Sequence, residues 1–278
     1  MKAKRIFCIP WGDRTIASSR LRIYQPFPYL ENAVIGTPKK YKKGDVLIIQ
    51  KALRHDELEK AQKEGAKVVY DIDDNYMDKK DFVQMAEDAD LVTVGSSFFH
   101  RYFPEAPVID DSLDWDGTIK QDYTKTNTVG WVGFGFHSFI DAISPVFWQK
   151  GMVVRTIVGK EYLPLYNRYE AVEWTLDTVD KKIAECDFTV IYLDPDDWSM
   201  AKGMNKLLKS WAIGVPCFFS YNPEYDRVVH ESGIFGYMTR NWDMQDYSKP
   251  WIPAMREYAL TFSPQRIAKQ WEAAIERL

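Results

Sequence analysis

Residues 194–216 read DPDDWSMAKGMNKLLKSWAIGVP and carry the strongest structural signal in the sequence. An acidic loop precedes a predicted helix over 205–211, and Gly214 supplies a typical stop signal for that helix. The first N–H groups of a helix have no intrahelical acceptor, and the helix dipole favours an anion there. Lys202 and Lys206 flank this helix start. The pattern predicts a phosphate-binding βα unit; the alternative is an ordinary βα unit with a lysine-rich helix.

Short apolar runs alternate with helical patterns on both sides of this segment. The predicted strands are 5–10, 45–50, 67–72, 91–95 and 104–109 in the first half, and 128–133, 153–159, 188–193 and 215–220 in the second. The predicted helices are 18–30, 56–64, 79–89, 96–102, 139–148, 176–185, 205–211 and 265–278. This alternation is typical of parallel sheets that helices cover on both faces.

The polar segment 110–127 contains no long apolar run and separates the two halves. We therefore expect an α/β fold with two Rossmann-like domains, residues 1–122 and 123–262, and a terminal helix over 263–278. Open α/β sheets bind ligands at the carboxyl ends of their strands. Two such domains are expected to face each other across a ligand-binding cleft.

The composition excludes one class of function and leaves others open. The chain has 278 residues and a net charge of −4, which argues against a protein that mainly coats nucleic acid, because such binding neutralises phosphates. A lysine cluster, Lys39, Lys40, Lys42 and Lys43, is either a solvated loop or a local basic groove. The aromatic content of 15% fits large cores or surfaces on which sugars and bases stack.

Three widely separated cysteines, Cys8, Cys186 and Cys217, lie in apolar runs. This pattern predicts reduced, buried thiols in a cytoplasmic protein and shows no metal-type spacing. The apolar run near the N-terminus is too short for a signal peptide, and no run reaches the roughly 20 residues of a membrane span.

The second half resembles the donor domain of the GT-B glycosyltransferases, especially the large retaining group often called family 4. The residues that carry the resemblance are Asp196, Asp197, Lys202, Asn205, Lys206, Ala212, Gly214 and Pro216. The upstream segment NTVGWVGFGFH, residues 127–137, resembles the opening strand and loop of the same domain. The resemblance implies a GT-B fold, whose C-terminal helix packs back toward the N-terminal domain, and sugar transfer from a nucleotide-sugar donor.

The resemblance also implies which side chains hold a UDP- or GDP-type donor. These donor-binding candidates are Gly133, Phe134, Gly135, Arg155, Lys160, Trp174, Asp197, Asn205 and Leu207. Lys202 and Lys206 are expected to stabilise the departing diphosphate, with no cofactor and no bound metal. A salt-bridged surface charge is the alternative for Arg155 and Lys160, and a core position is the alternative for Trp174.

The N-terminal half resembles a subset of the same enzymes in ASSRLRIYQPFPYL (17–30), KVVYDIDD (67–74) and ADLVTVGSSFFHRYF (89–103). In this fold the first N-terminal loop faces the cleft. The resemblance therefore places Gly12, Asp13 and Arg20 on the acceptor side, with Arg20 as the contact to a phosphate or to the acceptor.

Asp71, Asp73 and Asp74 end a predicted strand, and carboxylates this close together bind a cation or supply a general base. The alternative is a helix cap within a solvated loop. Asp73 is our catalytic candidate from this group. His137, which follows the glycine loop, is a further catalytic candidate ahead of His100, although a solvated or core histidine is the alternative for both.

One position departs from the family pattern. Lys209 stands where family 4 relatives usually carry a glutamate on the donor ribose, and a lysine cannot accept hydrogen bonds from hydroxyls. Three functions follow: a glycosyltransferase acting on a glycan or small molecule, a DNA-modifying glycosyltransferase acting on hydroxymethylated bases, or a non-catalytic nucleotide- or sugar-binding protein on a degenerate GT-B scaffold.

Overall fold

The computed structural model describes residues 4–133, 137–234 and 251–278, with side chains for all of these except 137–139. Within the described residues the chain forms two compact units. The first comprises Met1–Ser112, Met200–Gly203 and Phe262–Leu278, and the second comprises Leu113–Ser199 and Met204–Thr261. The division after Ser112 precedes the boundary expected at residue 122, because the second part of the polar segment associates with the second unit.

Each unit is built on a parallel five-stranded sheet, with strand orders β2-β1-β3-β4-β5 and β10-β9-β6-β7-β8. The strands are β1 (Ile6–Ile9), β2 (Ala33–Ile35), β3 (Val46–Gln50), β4 (Lys67–Ile72), β5 (Leu91–Val94), β6 (Thr128–Val132), β7 (Val153–Val158), β8 (Glu170–Glu173), β9 (Phe188–Ile191) and β10 (Cys217–Phe219). The central strand β3 is buried along its whole length, as expected for a strand with helices on both faces.

The α-helices are α1 (Ala17–Ser19), α2 (His55–Lys63), α3 (Lys80–Asp88), α4 (His137–Gln149), α5 (Val179–Ala184), α6 (Asp197–Met200), α7 (Asn205–Ile213), α8 (Pro223–Ser232), α9 (Ile252–Leu260) and α10 (Pro264–Ile275). Short 3-10 helices cover Phe27–Tyr29, Ser97–Arg101 and Lys160–Tyr166. Among the helices of the described residues, none is both long and apolar enough to cross a membrane.

The C-terminal helix α10 belongs to the first unit, as the sequence predicts. Its buried face, including Ile267 and Trp271, packs into the same core as Ile6 and Val46 of the sheet. The indole N–H of Trp271 donates to the carbonyl of Arg22 at 2.9 Å. The helix therefore covers one face of the first sheet.

The helix predicted over 18–30 is wrong in detail. The structure replaces it with α1, a π-helical turn over Arg20–Tyr24 and the 3-10 helix Phe27–Tyr29. Pro26 and Pro28 lack the N–H groups that a continuous α-helix would use, so the regular ladder cannot extend through them. The irregular turn carries the fully buried side chain of Arg22.

Two edge strands and three α-helices were not predicted. Strands β2 and β8 are short and partly exposed, so they lack the continuous apolar pattern that marks a buried strand. Helices α6, α8 and α9 were also missed. The strand predicted over 104–109 is wrong: only an isolated bridge between Val94 and Val108 forms there. The three cysteines are free and buried, as predicted, and burial raises the pKa of Cys186 and Cys217 to about 12.

Candidate functional site

The second sheet has a switch in strand order beside β6, which lies between β7 and β9. The connection after β6 leads to one side of the sheet, and the chain later returns to the other side through β9. Loops that leave neighbouring strands in opposite directions open a crevice at the carboxyl ends, where open α/β sheets bind ligands. Gly133 follows β6 at this edge, and α7 follows β9 along the chain.

Gly133 is buried, and its N–H donates to the carbonyl of Ile157 at 3.3 Å. A Cβ at this position would overlap the indole of Trp131, which is itself buried and packs against Tyr166 at 5.7 Å between ring centroids. The indole therefore leaves no room for a side chain where β6 ends. Phe134 and Gly135 lie outside the described residues, as does the side chain of His137.

Helix α7 begins and ends as the sequence predicts. Leu208 donates to the backbone carbonyl of Met204 at 3.0 Å, so the backbone ladder of the helix starts at the residue before Asn205. The Lys206 side chain is exposed, whereas that of Leu207 is fully buried. Gly214 ends the helix in the left-handed conformation with a φ of 89°.

Lys202 does not belong to the same unit as Lys206. The segment Met200–Gly203 is part of the first unit, where the ammonium of Lys202 donates to Asp74. The same segment is anchored by Ser96, whose hydroxyl donates to the carbonyl of Ala201 at 3.0 Å. The structure thus gives Lys202 a carboxylate partner and leaves its predicted contact with a diphosphate as a prediction.

The three aspartates at the end of β4 and just after it divide into two ion-pair groups. Asp71 is fully buried and accepts two hydrogen bonds from Arg22, at 3.0 and 2.6 Å. Lys51 bonds to both other carboxylates, with its Nζ 3.0 Å from Oδ1 of Asp73. Among the described residues no group of three or more His, Cys, Asp or Glu side chains is arranged to hold a metal ion.

Asp73 and Asp74 have opposite pKa shifts despite being neighbours. Burial, reinforced by the charge of Asp74, raises the pKa of Asp73 in spite of Lys51. Burial also disfavours the charged form of Asp74, but Lys51 and Lys202 together lower the pKa of Asp74 below its usual value. Two carboxyls whose environments separate their pKa values are the pattern that acid–base chemistry uses.

The other donor-side candidates occupy different places on the second sheet. Arg155 lies in the first half of β7 and pairs with Glu170 at 2.8 Å and with Glu185 at 2.5 Å. Lys160 is exposed and follows the carboxyl end of the same strand. Trp174 follows β8, is half-buried, and its backbone N–H donates to Val158.

Two further donor-side candidates begin helices. Asp197 is exposed and is the first residue of α6, where the neighbouring Asp196 accepts from the N–H of Ser199 at 2.7 Å. Asn205 is the first residue of α7 and is half-buried.

Lys209 forms ion pairs that were not predicted from the sequence. Its ammonium lies 2.8 Å from Oδ1 of Asp180 on α5 and 3.4 Å from Oδ2 of Asp114. Asp180 also accepts from the N–H of Asp116 at 2.9 Å. Lys209 therefore connects α7 with α5 and with the segment that enters the second unit.

The acceptor-side candidates form a tightly bonded loop after β1. The N–H of Gly12 donates to Ser19 at 3.0 Å, and Asp13 accepts from the N–H of Thr15 at 2.8 Å. Arg20 is buried and donates to the carbonyl of Arg14 at 2.9 Å. These bonds shape the loop. His100, the weaker histidine candidate, lies 3.0 Å from the carbonyl of Ala106.

A pocket of about 570 Å³ opens in the first unit at the carboxyl ends of β1, β3 and β4. Its lining includes Trp11, Leu53, Arg54, Tyr76, Lys79 and Phe82. The order of the first sheet reverses between β1 and β3, so this pocket lies at a switch point. None of these lining residues was a candidate from the sequence, because they come from three separate segments of the chain and form no sequence motif.

The solved structures that resemble the chain include HepE and TarM. The Anabaena protein HepE, solved in complex with UDP, is similar with a TM-score of 0.66 and 14% identity, over 99% of this chain and 100% of HepE. TarM is similar with a TM-score of 0.58 and 12% identity, over 84% of this chain and 55% of TarM. The chain has the GT-B fold. No protein-family model and no curated protein sequence matches it, so membership of family 4 stays a prediction for this GT-B protein.

Proposed function

We propose that this GT-B protein is a glycosyltransferase that moves a sugar from a nucleotide-diphosphate donor to an acceptor hydroxyl. The observation that carries the proposal is the similarity to HepE, which extends over 99% of this chain and 100% of HepE, a protein solved with UDP. The start of α7 and the exposed Lys206 in the second unit also support a nucleotide-diphosphate donor.

The donor would bind in the second unit at the switch point beside β6. The first turn of α7 favours a diphosphate, and Gly133 follows β6 at this switch point. Lys206 is exposed in that first turn and supplies a positive charge. Lys160, at the end of β7, suits a donor contact better than Arg155, which already bonds to two glutamates.

The proposed chemistry needs stabilisation of the departing diphosphate and a group that receives the acceptor proton. Lys206 and the α7 dipole would stabilise the leaving group without requiring a metal ion. Asp73 suits the second role because burial raises the pKa of its carboxyl, and a more basic carboxylate accepts a proton more readily. Three free, buried cysteines support our placement of the enzyme in the cytoplasm.

The ion pairs of Lys209 are relevant to the alternative function, a non-catalytic nucleotide- or sugar-binding protein. That alternative arose because Lys209 replaces an expected ribose-binding glutamate. Its contacts with Asp180 and Asp114 give the lysine a role in the packing of α7, independent of any ligand. Packing therefore accounts for the lysine at this position, and the turnover assay below distinguishes a transferase from a binding protein.

Thermal-shift and calorimetric titrations with UDP and GDP test the donor site directly. We expect one of them to raise Tm, and Lys206→Ala to weaken its binding about ten-fold to a hundred-fold, since a charge-assisted hydrogen bond contributes about 1.5–3 kcal/mol. Lys181→Ala, an exposed lysine of α5, is the matched control and should bind as the wild type does.

Turnover is measured by release of the nucleoside diphosphate from a panel of nucleotide sugars with mixed acceptors. Release that depends on both an acceptor and Lys206 supports a transferase. If neither nucleotide nor any of its sugars raises Tm, or if Lys206→Ala and Lys181→Ala respond alike, the proposed donor site is wrong.

A further inference from the structure

The pocket beside Trp11, which we call the Trp11 pocket, combines apolar and aromatic walls. Its defining residues are Trp11, Leu53, Arg54, Tyr76, Lys79 and Phe82. Trp11 is 47% exposed and Leu53 is 42% exposed, so large apolar surfaces remain open to a ligand. Tyr76 packs against Phe82 with ring centroids 4.5 Å apart, and this aromatic pair also lines the pocket. Such walls fit the flat apolar face of a ring.

The aromatic side of the Trp11 pocket is held by buried polar groups. The N–H of Trp11 donates to the side-chain carbonyl of Gln50 at 3.1 Å, and the hydroxyl of Ser19 donates to the same oxygen at 3.0 Å. Gln50 and Ser19 are fully buried. The ammonium of Lys51 also lies 6.0 Å from the Trp11 ring centroid. The loop that presents Trp11 is therefore preorganised for binding.

The charges of the Trp11 pocket have a single sign. Arg54 and Lys79 are both exposed at its rim, and no Asp or Glu belongs to the lining formed by the described residues. The ammonium of Lys79 lies 4.7 Å from the Tyr76 ring centroid, which keeps it beside the aromatic wall. Two unopposed cations in a protein of net charge −4 favour an anionic ligand.

The cations Lys51 and Lys202 do not change the positive charge of the pocket lining. Lys51 is buried and bonds to Asp73 and Asp74, and Asp74 also binds Lys202. Two ammonium groups thus face two carboxylates, and this set is close to neutral. The positive potential at the rim comes from Arg54 and Lys79.

We infer that the Trp11 pocket binds the acceptor, and that the acceptor is an acidic glycoside or similar ring compound bearing a carboxylate or phosphate. Its ring would stack on Trp11, and its anionic group would meet Arg54 and Lys79. The role as acceptor rests on the proposed glycosyltransferase function. The binding chemistry itself rests only on the first unit.

A matched pair of probes separates the two parts of the inference. 4-Nitrophenyl β-D-glucuronide and 4-nitrophenyl β-D-glucoside differ only in a carboxylate that replaces a hydroxymethyl group. Calorimetry or ligand-observed NMR on the full chain should show about ten-fold tighter binding of the glucuronide. Added NaCl should reduce this preference, because the contacts at the rim are solvent-exposed.

Three variants and one control assign the contacts. Arg54→Ala and Lys79→Ala should each reduce the preference for the glucuronide several-fold, because each removes one cation. Trp11→Ala should weaken both probes by a similar factor and leave the preference unchanged. Lys63→Ala, an exposed lysine near the end of α2, is the control and should change neither.

UDP titration of the same samples keeps the two proposals distinguishable. Equal affinities for the two probes, a preference that survives both cation variants, or no binding of either probe would overturn the acceptor inference even if UDP binds normally. If the probes bind as expected while no nucleotide binds, the pocket chemistry stands and the glycosyltransferase proposal fails.

Discussion

The ammonium of Lys209 lies 2.8 Å from Oδ1 of Asp180, and this contact joins α7 to α5 inside the second unit. The Lys209 side chain is 15% exposed and that of Asp180 is 1% exposed, so both charges are largely removed from water. A buried charge is tolerated only when its partner is present. Position 209 is therefore constrained by packing and charge.

Lys209→Glu, which introduces the residue expected from the family pattern, should destabilise the protein. It would place a third carboxylate beside Asp180 and Asp114, and we expect a loss of about 3 kcal/mol or more in the free energy of unfolding. Urea denaturation monitored by circular dichroism measures this loss. Lys209→Met combined with Asp180→Asn should be more stable than Lys209→Glu; a Lys209→Glu variant as stable as the wild type would contradict the assigned ion pair.

The contrast between Gly214 and Lys202 shows what could be predicted from the sequence. The end of α7 depends on local geometry, since a glycine adopts the left-handed conformation at little cost, and it was predicted correctly. The partner of Lys202 is Asp74, which is 128 residues away, and no local pattern encodes that distance. The pairing of Lys209 and the assembly of the Trp11 pocket could not be predicted either, because their residues come from separate segments of the chain.

Asparagine at positions 73 and 74 should have opposite effects on stability. The lowered pKa of Asp74 means that its charged form stabilises the fold above the ordinary carboxyl pKa of about 4, and that this stability is lost as pH falls through the lower folded value. Asp74→Asn should therefore lose about 2–4 kcal/mol at neutral pH. This deficit should shrink in acid.

The raised pKa of Asp73 gives the opposite dependence of stability on pH. Its stabilising contribution is fully present below the ordinary carboxyl pKa and is lost as pH rises through the higher folded value. Asp73→Asn should therefore match or exceed the wild type in stability at neutral pH. Denaturation curves for both variants from about pH 3 to pH 7 measure the two trends; parallel trends for the two variants would refute the opposite shifts.

Arg22 and Asp71 form a fully buried pair in the first unit, and Thr93 donates to the same aspartate at 2.8 Å. Arg22→Met leaves the carboxylate without its cation, and we expect a loss of about 3–5 kcal/mol. Arg22→Met with Asp71→Leu should recover part of that loss, because the fully buried carboxylate is removed together with its cation, while Asp111, 3.7 Å from Arg22, still loses this partner. Chemical denaturation of the two variants measures the recovery, and a double variant less stable than Arg22→Met alone would count against the explanation.

Gly133 is expected to tolerate no side chain while Trp131 occupies its present position. A methyl group there would overlap the buried indole, so Gly133→Ala should cost about 1–3 kcal/mol through overpacking. In a Trp131→Leu background the ring is absent, and the added cost of the alanine should be clearly smaller. A double-mutant cycle by urea denaturation measures this coupling. Equal costs of the alanine in both backgrounds would show that the indole does not exclude it, and the requirement for glycine at the end of β6 would then need another cause.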